Sequence, residues 1–225
     1  MNHPEQTPAR LWLVRHGQTD WNAQRRIQGH TPTELNATGR QQAELLSQWF
    51  AERHFSAIWS SDLPRALQTA QIIAARQSCP MTVTPQLRER NLGAFEGKTW
   101  DEVRTLRADL CGSSSNNGDL ADWTGVPGVE SDQQLWDRTR AVLDAMSEAE
   151  NGKDMMAVTH GGVLKHVLWH VLGLAAGAPR RFGLSNGLTA VLEKRGDNYY
   201  LVSLLDIEML MGHTSGADTA NAPSA

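Results

Sequence analysis

LWLVRHGQTDWN, residues 11–22, runs from four apolar side chains straight into Arg15, His16 and a glycine. A strand of Leu11, Trp12, Leu13 and Val14 is apolar on both faces, which suits the middle of a parallel sheet covered on both sides. Two polar heads at its tip have no packing use. They mark either an ordinary strand end or the edge of a binding site.

DMMAVTHGGVLKHVLWHVLGL, residues 154–174, repeats the arrangement. A buried strand at 154–160 ends in His160, two glycines follow, and a helix runs to about Gly173. Between these stretches, TGRQQAELLSQWFAER (38–53) reads as a helix burying Ala43, Leu45, Leu46 and Trp49, with Thr38 as N-cap and Gln41 three residues on. FSAIWSS (55–61) and MTVTP (81–85) read as strands, and DLPRALQTAQIIAARQ (62–77) as a helix with Pro64 in its first turn. Ser131 and Gln134 form a capping box for a helix burying Leu135, Trp136, Val142, Leu143 and Met146. GLTAVLEKRGDNYYLVSLL (187–205) reads as a hairpin turned at 195–198.

Alternating strands and helices predict an α/β fold: a three-layer α/β/α sandwich on a mostly parallel central sheet, with ligands outside the carboxyl ends of the strands. The stretch 91–128 has weak periodicity. Its CGSSSNNGD run (111–119) reads as an exposed loop, so the whole is expected to be a small cap insertion over the site edge. One domain is expected over 11–211, between a disordered lead-in at 1–10 and a disordered tail at 212–225.

The 225 residues are 40% hydrophobic and 20% charged, with no apolar run of ~18 residues to span a bilayer. The first ten residues lack the apolar stretch of a secretory signal. Two cysteines, Cys79 and Cys111, have no metal or redox spacing, so a reducing cytoplasm is the expected location. A net charge of -4, well mixed along the chain, argues against nucleic-acid or membrane partners. Any anion site must be local, built by a few converging arginines.

Each strand end carries a histidine followed by glycine, a residue that admits close backbone approach by a ligand, and the helix after His160 aims its positive dipole end there. Neutral imidazole is a nucleophile at pH 7, and guanidinium grips phosphoryl oxygens in a planar fork, so His16 with Arg15 is equipment for phosphoryl transfer. Arg65, opening the helix after the second strand, is placed to reach the same cleft.

LVRHGQTDWN, SSDLPRALQTA, LRERNLGAFEGKTW and VTHGGVLKHVL resemble, in order, the four signature segments of the histidine phosphatase superfamily, in its phosphoglycerate-mutase-like branch. The resemblance spans about 11–205. It implies that His16 becomes phosphohistidine in a pocket of Arg15, Arg65 and His160, with Asn22 near the phosphate. It implies Glu89 as proton donor to the leaving group, with Gln28 and Gly29 in a loop beside the substrate, and Gly161 at the phosphate end of the last helix. A carboxylic acid in that role contributes ~10²–10⁴-fold. Arginines take the place of a metal ion, so no metal and no cofactor is expected. His166 and His170, at i, i+4, have no third partner and are read as structural.

Several positions depart from what mutases carry. Gly162 stands for an asparagine, Leu92 for a tyrosine and Trp100 for a lysine, and the cap lacks the mutases' paired arginines. Pro32 and Glu34 depart from the family's loop after the Gln28–Gly29 pair. Glu130 resembles a family position near the cleft, although its charge equally suits a helix first turn. The reading is a metal-independent phosphatase acting on a small-molecule phosphate monoester, as a monomer or homodimer. The alternatives are a cofactor-dependent phosphoglycerate mutase and a catalytically idle phospho-ligand binder. Among tryptophans, Trp12 and Trp136 are expected in the core, and Trp100 and Trp123 nearer substrate.

Overall fold

A computed structural model describes residues 10–111, 126, 128–149, 152–174 and 182–207. Six strands form one sheet: β1 (Arg10–Arg15), β2 (Ala57–Ser61), β3 (Met81–Thr84), β4 (Met155–Thr159), β5 (Thr189–Arg195) and β6 (Asn198–Leu205). Their spatial order is β3, β2, β4, β1, β5, β6. Pairs β2·β3, β2·β4 and β1·β4 are parallel, while β1·β5 and β5·β6 are antiparallel. The sheet is therefore mostly parallel, as expected, with an antiparallel hairpin added at one edge.

Alternation along the central strands splits the core in two. Leu11 and Leu13 of β1 and Met155 and Ala157 of β4 pack with α5 (Asp132–Ala149) and α6 (Gly161–Val171). Trp12, Val14, Met156 and Val158 point the other way, against α2 (Ala37–Phe50) and α3 (Pro64–Ala74). Both faces of β1 and β4 are thus sealed, which explains their unbroken apolar runs and gives the three expected layers. Trp12 lies against Phe50 and Phe55 edge to face, as core tryptophans do.

Some boundaries differ from the sequence reading. The cap of α2 is Asn36 rather than Thr38: its side chain accepts from Gly39 N at 2.8 Å, so the helix starts a residue early and Thr38 falls inside its first turn. The loop after β1 holds one helical turn, α1 (Asp20–Ala23), closed by a Thr19–Asn22 capping box. The second strand begins at Ala57 rather than 55, and Pro85 opens a 3-10 turn instead of ending β3. The stretch read as an unpatterned insertion contains a helix, α4 (Trp100–Cys111), missed because among its residues 100–107 only Val103 and Arg107 are buried. Its Val103 joins Ile27, Leu92, Phe95 and Val126 in a third, small apolar cluster. The Ser131–Gln134 capping box forms as read. Arg10, expected in the lead-in, opens β1; the rest of that lead-in, the tail, the 111–119 loop beyond Cys111 and Trp123 lie outside the described residues.

Candidate active site

Parallel pairing of β1 with β4 puts Arg15 opposite Thr159, and His16 N donates to Thr159 O at 3.0 Å. The next residue of each strand is a histidine, so the rings of His16 and His160 sit side by side, 5.1 Å between centroids. After β1 the chain leaves towards the α2–α3 face and after β4 towards the α5–α6 face, which opens a crevice at their carboxyl ends. A cavity of about 310 Å³ lies there. Arg15, His16, Asn22, Gln28, Gly29, Arg65, Glu89 and Gly161 all line it. His160 is fully buried beside His16.

His16 is 2% exposed. Its Nδ1 lies 2.6 Å from Gly17 O, which can only accept, so Nδ1 carries the proton and Nε2 the lone pair. Arg65 Nε donates to that lone pair at 3.3 Å. Burial, then the charges of Arg65 and Arg15, hold the His16 pKa well below its ordinary value, so the ring is neutral at physiological pH. Burial, then the charge of Arg65, likewise hold the His160 pKa well below its ordinary value, so this ring is neutral too. Its Nε2 meets Ser61 Oγ at 2.8 Å. Ser61 Oγ also accepts from Leu63 N at 3.2 Å, which ties this contact to the turn that starts α3. The other ring nitrogen, Nδ1, is buried without a partner among the described residues.

Arg65 is buried and its pKa lowered by desolvation to about 10, still cationic at neutral pH. It is aimed by backbone: its terminal nitrogens donate to Gly29 O (2.7 Å) and Thr31 O (2.9 Å), and to Thr33 Oγ1 (3.2 Å). Glu96 holds that loop, accepting from His30 N and Thr31 Oγ1, both at 2.9 Å. Pro32 and Glu34, which depart from the family loop, leave this grip in place. Gln28 is fixed by Thr19 and Thr33 hydroxyls at 3.0 and 2.5 Å, and Asn22 by Thr19 and Asn186. Arg15 donates to Leu184 O.

Glu89 is placed by backbone on both sides. Its carboxylate accepts from Arg90 N at 2.7 Å and Gly162 N at 2.9 Å, and its carbonyl from His30 Nε2 and Arg138 at 2.8 and 2.9 Å. The first-turn amide of α6 thus serves Glu89. The glycines also have steric reasons within the protein. A Cβ at Gly17 would come within 2.4 Å of Gly39 O, so Gly17 admits the backbone of α2. A Cβ at Gly161 would press on Arg15 at 3.2 Å, and one at Gly162 would meet Glu89 Oε1 at 2.0 Å. These two make room for the site's own side chains.

Other readings are revised too. Glu130 does not line this cleft: it is held by Arg138 at 2.6 Å and by Asn91 N, and borders a separate cavity. His166 and His170 do different work, one bound to Arg90, the other stacked on Trp136 at 3.7 Å. Among the described residues no three His, Cys, Asp or Glu side chains gather as a metal would require, and no helix is long and apolar enough to cross a membrane. Trp100 lines the cleft with Leu92, as do Trp21, Arg25, Arg90 and Lys165, which the motifs did not single out. Asn186, donating to His16 O at 3.0 Å, comes from a loop with no pattern to betray it.

The sequence pattern of the histidine phosphatase superfamily, branch 1, matches residues 11–207. Phosphoglycerate mutase-like protein 4 of Arabidopsis thaliana is 41% identical over 159 residues, covering 70% of this chain and 68% of its own. Among solved structures, a phosphoserine phosphatase mutant from Entamoeba histolytica, in complex with phosphoserine, aligns with TM-score 0.72 and 28% identity over 89% of this chain and 98% of its own. A mycobacterial glucosyl-3-phosphoglycerate phosphatase complexed with VO3 aligns with TM-score 0.74 and 30% identity over 86% and 97%. With paired strand-end histidines, buried Arg65 and the match over nearly all of the described fold, this chain belongs to branch 1 of the histidine phosphatase superfamily.

Proposed function

We propose that the protein is a metal-independent phosphatase of small phosphate monoesters, working through a phosphohistidine on His16. The observation that carries this reading is the His16 ring: neutral, its Nε2 lone pair met by Arg65, with the His160 ring and its unpartnered Nδ1 beside it. In the first step His16 Nε2 attacks phosphorus, the ester P–O bond breaks, and the Glu89 carboxyl gives its proton to the departing oxygen. In the second, water attacks the phosphohistidine, Glu89 takes its proton, the P–N bond breaks and inorganic phosphate leaves. Arg15, Arg65 and His160 stabilise the transferring phosphoryl oxygens, and Asn22, Gln28, Gly29 and Gly161 frame the space around them. The phosphatases among the structural relatives support this reading.

The test is phosphate release from a panel of phosphate monoesters with EDTA present. Release that survives chelation is expected; release lost to EDTA would overturn the metal-independent scheme. A mutase would instead require added bisphosphoglycerate and return the phosphoryl group to a hydroxyl. A Cβ at Gly162 would come within 2.0 Å of Glu89 Oε1 as it sits here. Gly162→Ala should accordingly lower kcat by about 10²-fold through displacement of the acid, read by steady-state phosphate release. An unchanged kcat would show that Glu89 works from another position.

A further inference from the structure

Glu89 sits on a stretch of chain with little secondary structure of its own. Pro85–Leu87 is a single 3-10 turn and residues 88–92 are neither helix nor strand, so the carbonyls from Gln86 to Glu89 have no ladder to join. Side chains from other elements satisfy them instead. Thr159 Oγ1 donates to Leu87 O at 2.8 Å, and His30 Nε2 meets Glu89 O at 2.8 Å. Arg138, on α5, takes the largest share: its Nη1 donates to Gln86 O at 2.6 Å and Arg88 O at 2.8 Å, and its Nη2 to Glu89 O at 2.9 Å.

The rest of the Arg138 fork is locked. Nε and Nη2 donate to the two carboxylate oxygens of Glu130 at 2.6 and 2.9 Å, so every N–H of the guanidinium has an acceptor. Glu130 grips the far end of the same segment: its Oε2 accepts from Asn91 N at 3.1 Å, and its own N donates to Asn91 O at 2.9 Å. The pair therefore holds the main chain on both sides of Glu89, from a helix anchored in the core by Leu135, Val142 and Leu143. The carboxylate has less independent support. Arg90 N travels with the segment, which leaves the Gly162 N bond to tie it to α6. Arg138 and Glu130 border the neighbouring cavity rather than the catalytic one, so they act through Glu89 and not on the reacting atoms.

Resting on the phosphatase reading above, we infer that Arg138, locked by Glu130, is the positioning residue of the general acid: it sets where the Glu89 carboxyl stands relative to the leaving-group oxygen. A displacement of about 1 Å at that carboxyl is worth about 10²-fold in rate. The phosphate pocket is built on other elements, with Arg15 on β1, Arg65 on α3 and His160 at the start of α6, so it keeps its shape when the clamp is loosened.

The test compares benzyl phosphate, whose alkoxide needs a proton to depart, with p-nitrophenyl phosphate, whose phenolate does not. kcat/KM reports the steps up to release of the alcohol, in which only the first ester uses the acid. In Arg138→Gln, kcat/KM on benzyl phosphate is expected to fall by about 10- to 100-fold relative to that on p-nitrophenyl phosphate. A merely structural role lowers both alike. Added to Glu89→Gln, the same substitution should lower turnover of benzyl phosphate no further. The Gly162 amide resonance gives a readout without turnover, because that amide donates to Glu89 Oε2: in Arg138→Gln it should move in the direction seen in Glu89→Ala. If Arg138→Gln fails to fold, Glu130→Gln, which keeps an oxygen for Asn91 N, takes its place, with the ratio shifting the same way by about 3- to 10-fold. A ratio unchanged in the folded variant, or a Gly162 amide at its wild-type position, would overturn the inference and leave the phosphatase reading standing. If the wild type hydrolyses neither ester, that reading fails instead, and the Gly162 amide alone decides whether Arg138 places Glu89.

Discussion

Replacing His16 by alanine is expected to abolish phosphate release, a loss of roughly 10⁴- to 10⁶-fold, while thermal unfolding stays cooperative. The size follows from role: among the described residues no other imidazole accepts from the Arg65 guanidinium, so nothing takes over the attack on phosphorus. The fold should survive because Arg65 keeps its bonds to Gly29 O, Thr31 O and Thr33, and β1 keeps its pairing. The substitution should also change the acid response. In the unfolded chain both imidazoles take up a proton below about pH 6.5, whereas burial keeps His16 and His160 unprotonated in the folded state. The unfolded state then binds more protons, so wild-type stability falls as pH drops below that value. His16→Ala deletes one of the two groups, and its denaturation midpoints between pH 6.5 and 5 should decline less steeply. Residual turnover above a trace would rule out phosphohistidine on His16.

The second large effect belongs to Glu89. Glu89→Gln keeps the shape and one carbonyl oxygen, so an amide can still accept from Arg90 N or Gly162 N, but it can neither give nor take a proton. Turnover of alkyl phosphates is expected to fall by about 10²- to 10⁴-fold. The loss in the first step should nearly vanish for p-nitrophenyl phosphate, whose phenolate departs without protonation. Rapid quench with that ester should then trap phosphohistidine, because water attack lacks its base. An equal loss on alkyl and nitrophenyl esters, with no trapped intermediate, would assign Glu89 a positioning role only.

How much of this was legible before the fold was known differs from residue to residue. His16, Arg65, Glu89 and His160 lie in short segments with local signatures: a strand tip, a Pro-led helix start, a strand followed by two glycines. Arg90 and Lys165 sit beside those signatures without being singled out by them, because burial by α5 and α6 is invisible along the chain. The glycines show the same divide. Their presence was evident, but whether Gly17 admits a ligand or the backbone of α2 depends on a segment more than twenty residues away.

By itself the sequence determined the layered α/β fold, since runs apolar on both faces demand cover on both faces, and it singled out the groups proposed to react. Only the tertiary structure decided their states and company. The register of β1 on β4 sets the two imidazoles together. The loop of Gly29 to Thr33 aims Arg65, and the close passage of Glu89 over Gly162 fixes where the acid stands. Periodicity and local chemistry are properties of neighbours in the chain, whereas desolvation, charge and hydrogen-bond geometry arise from neighbours in space.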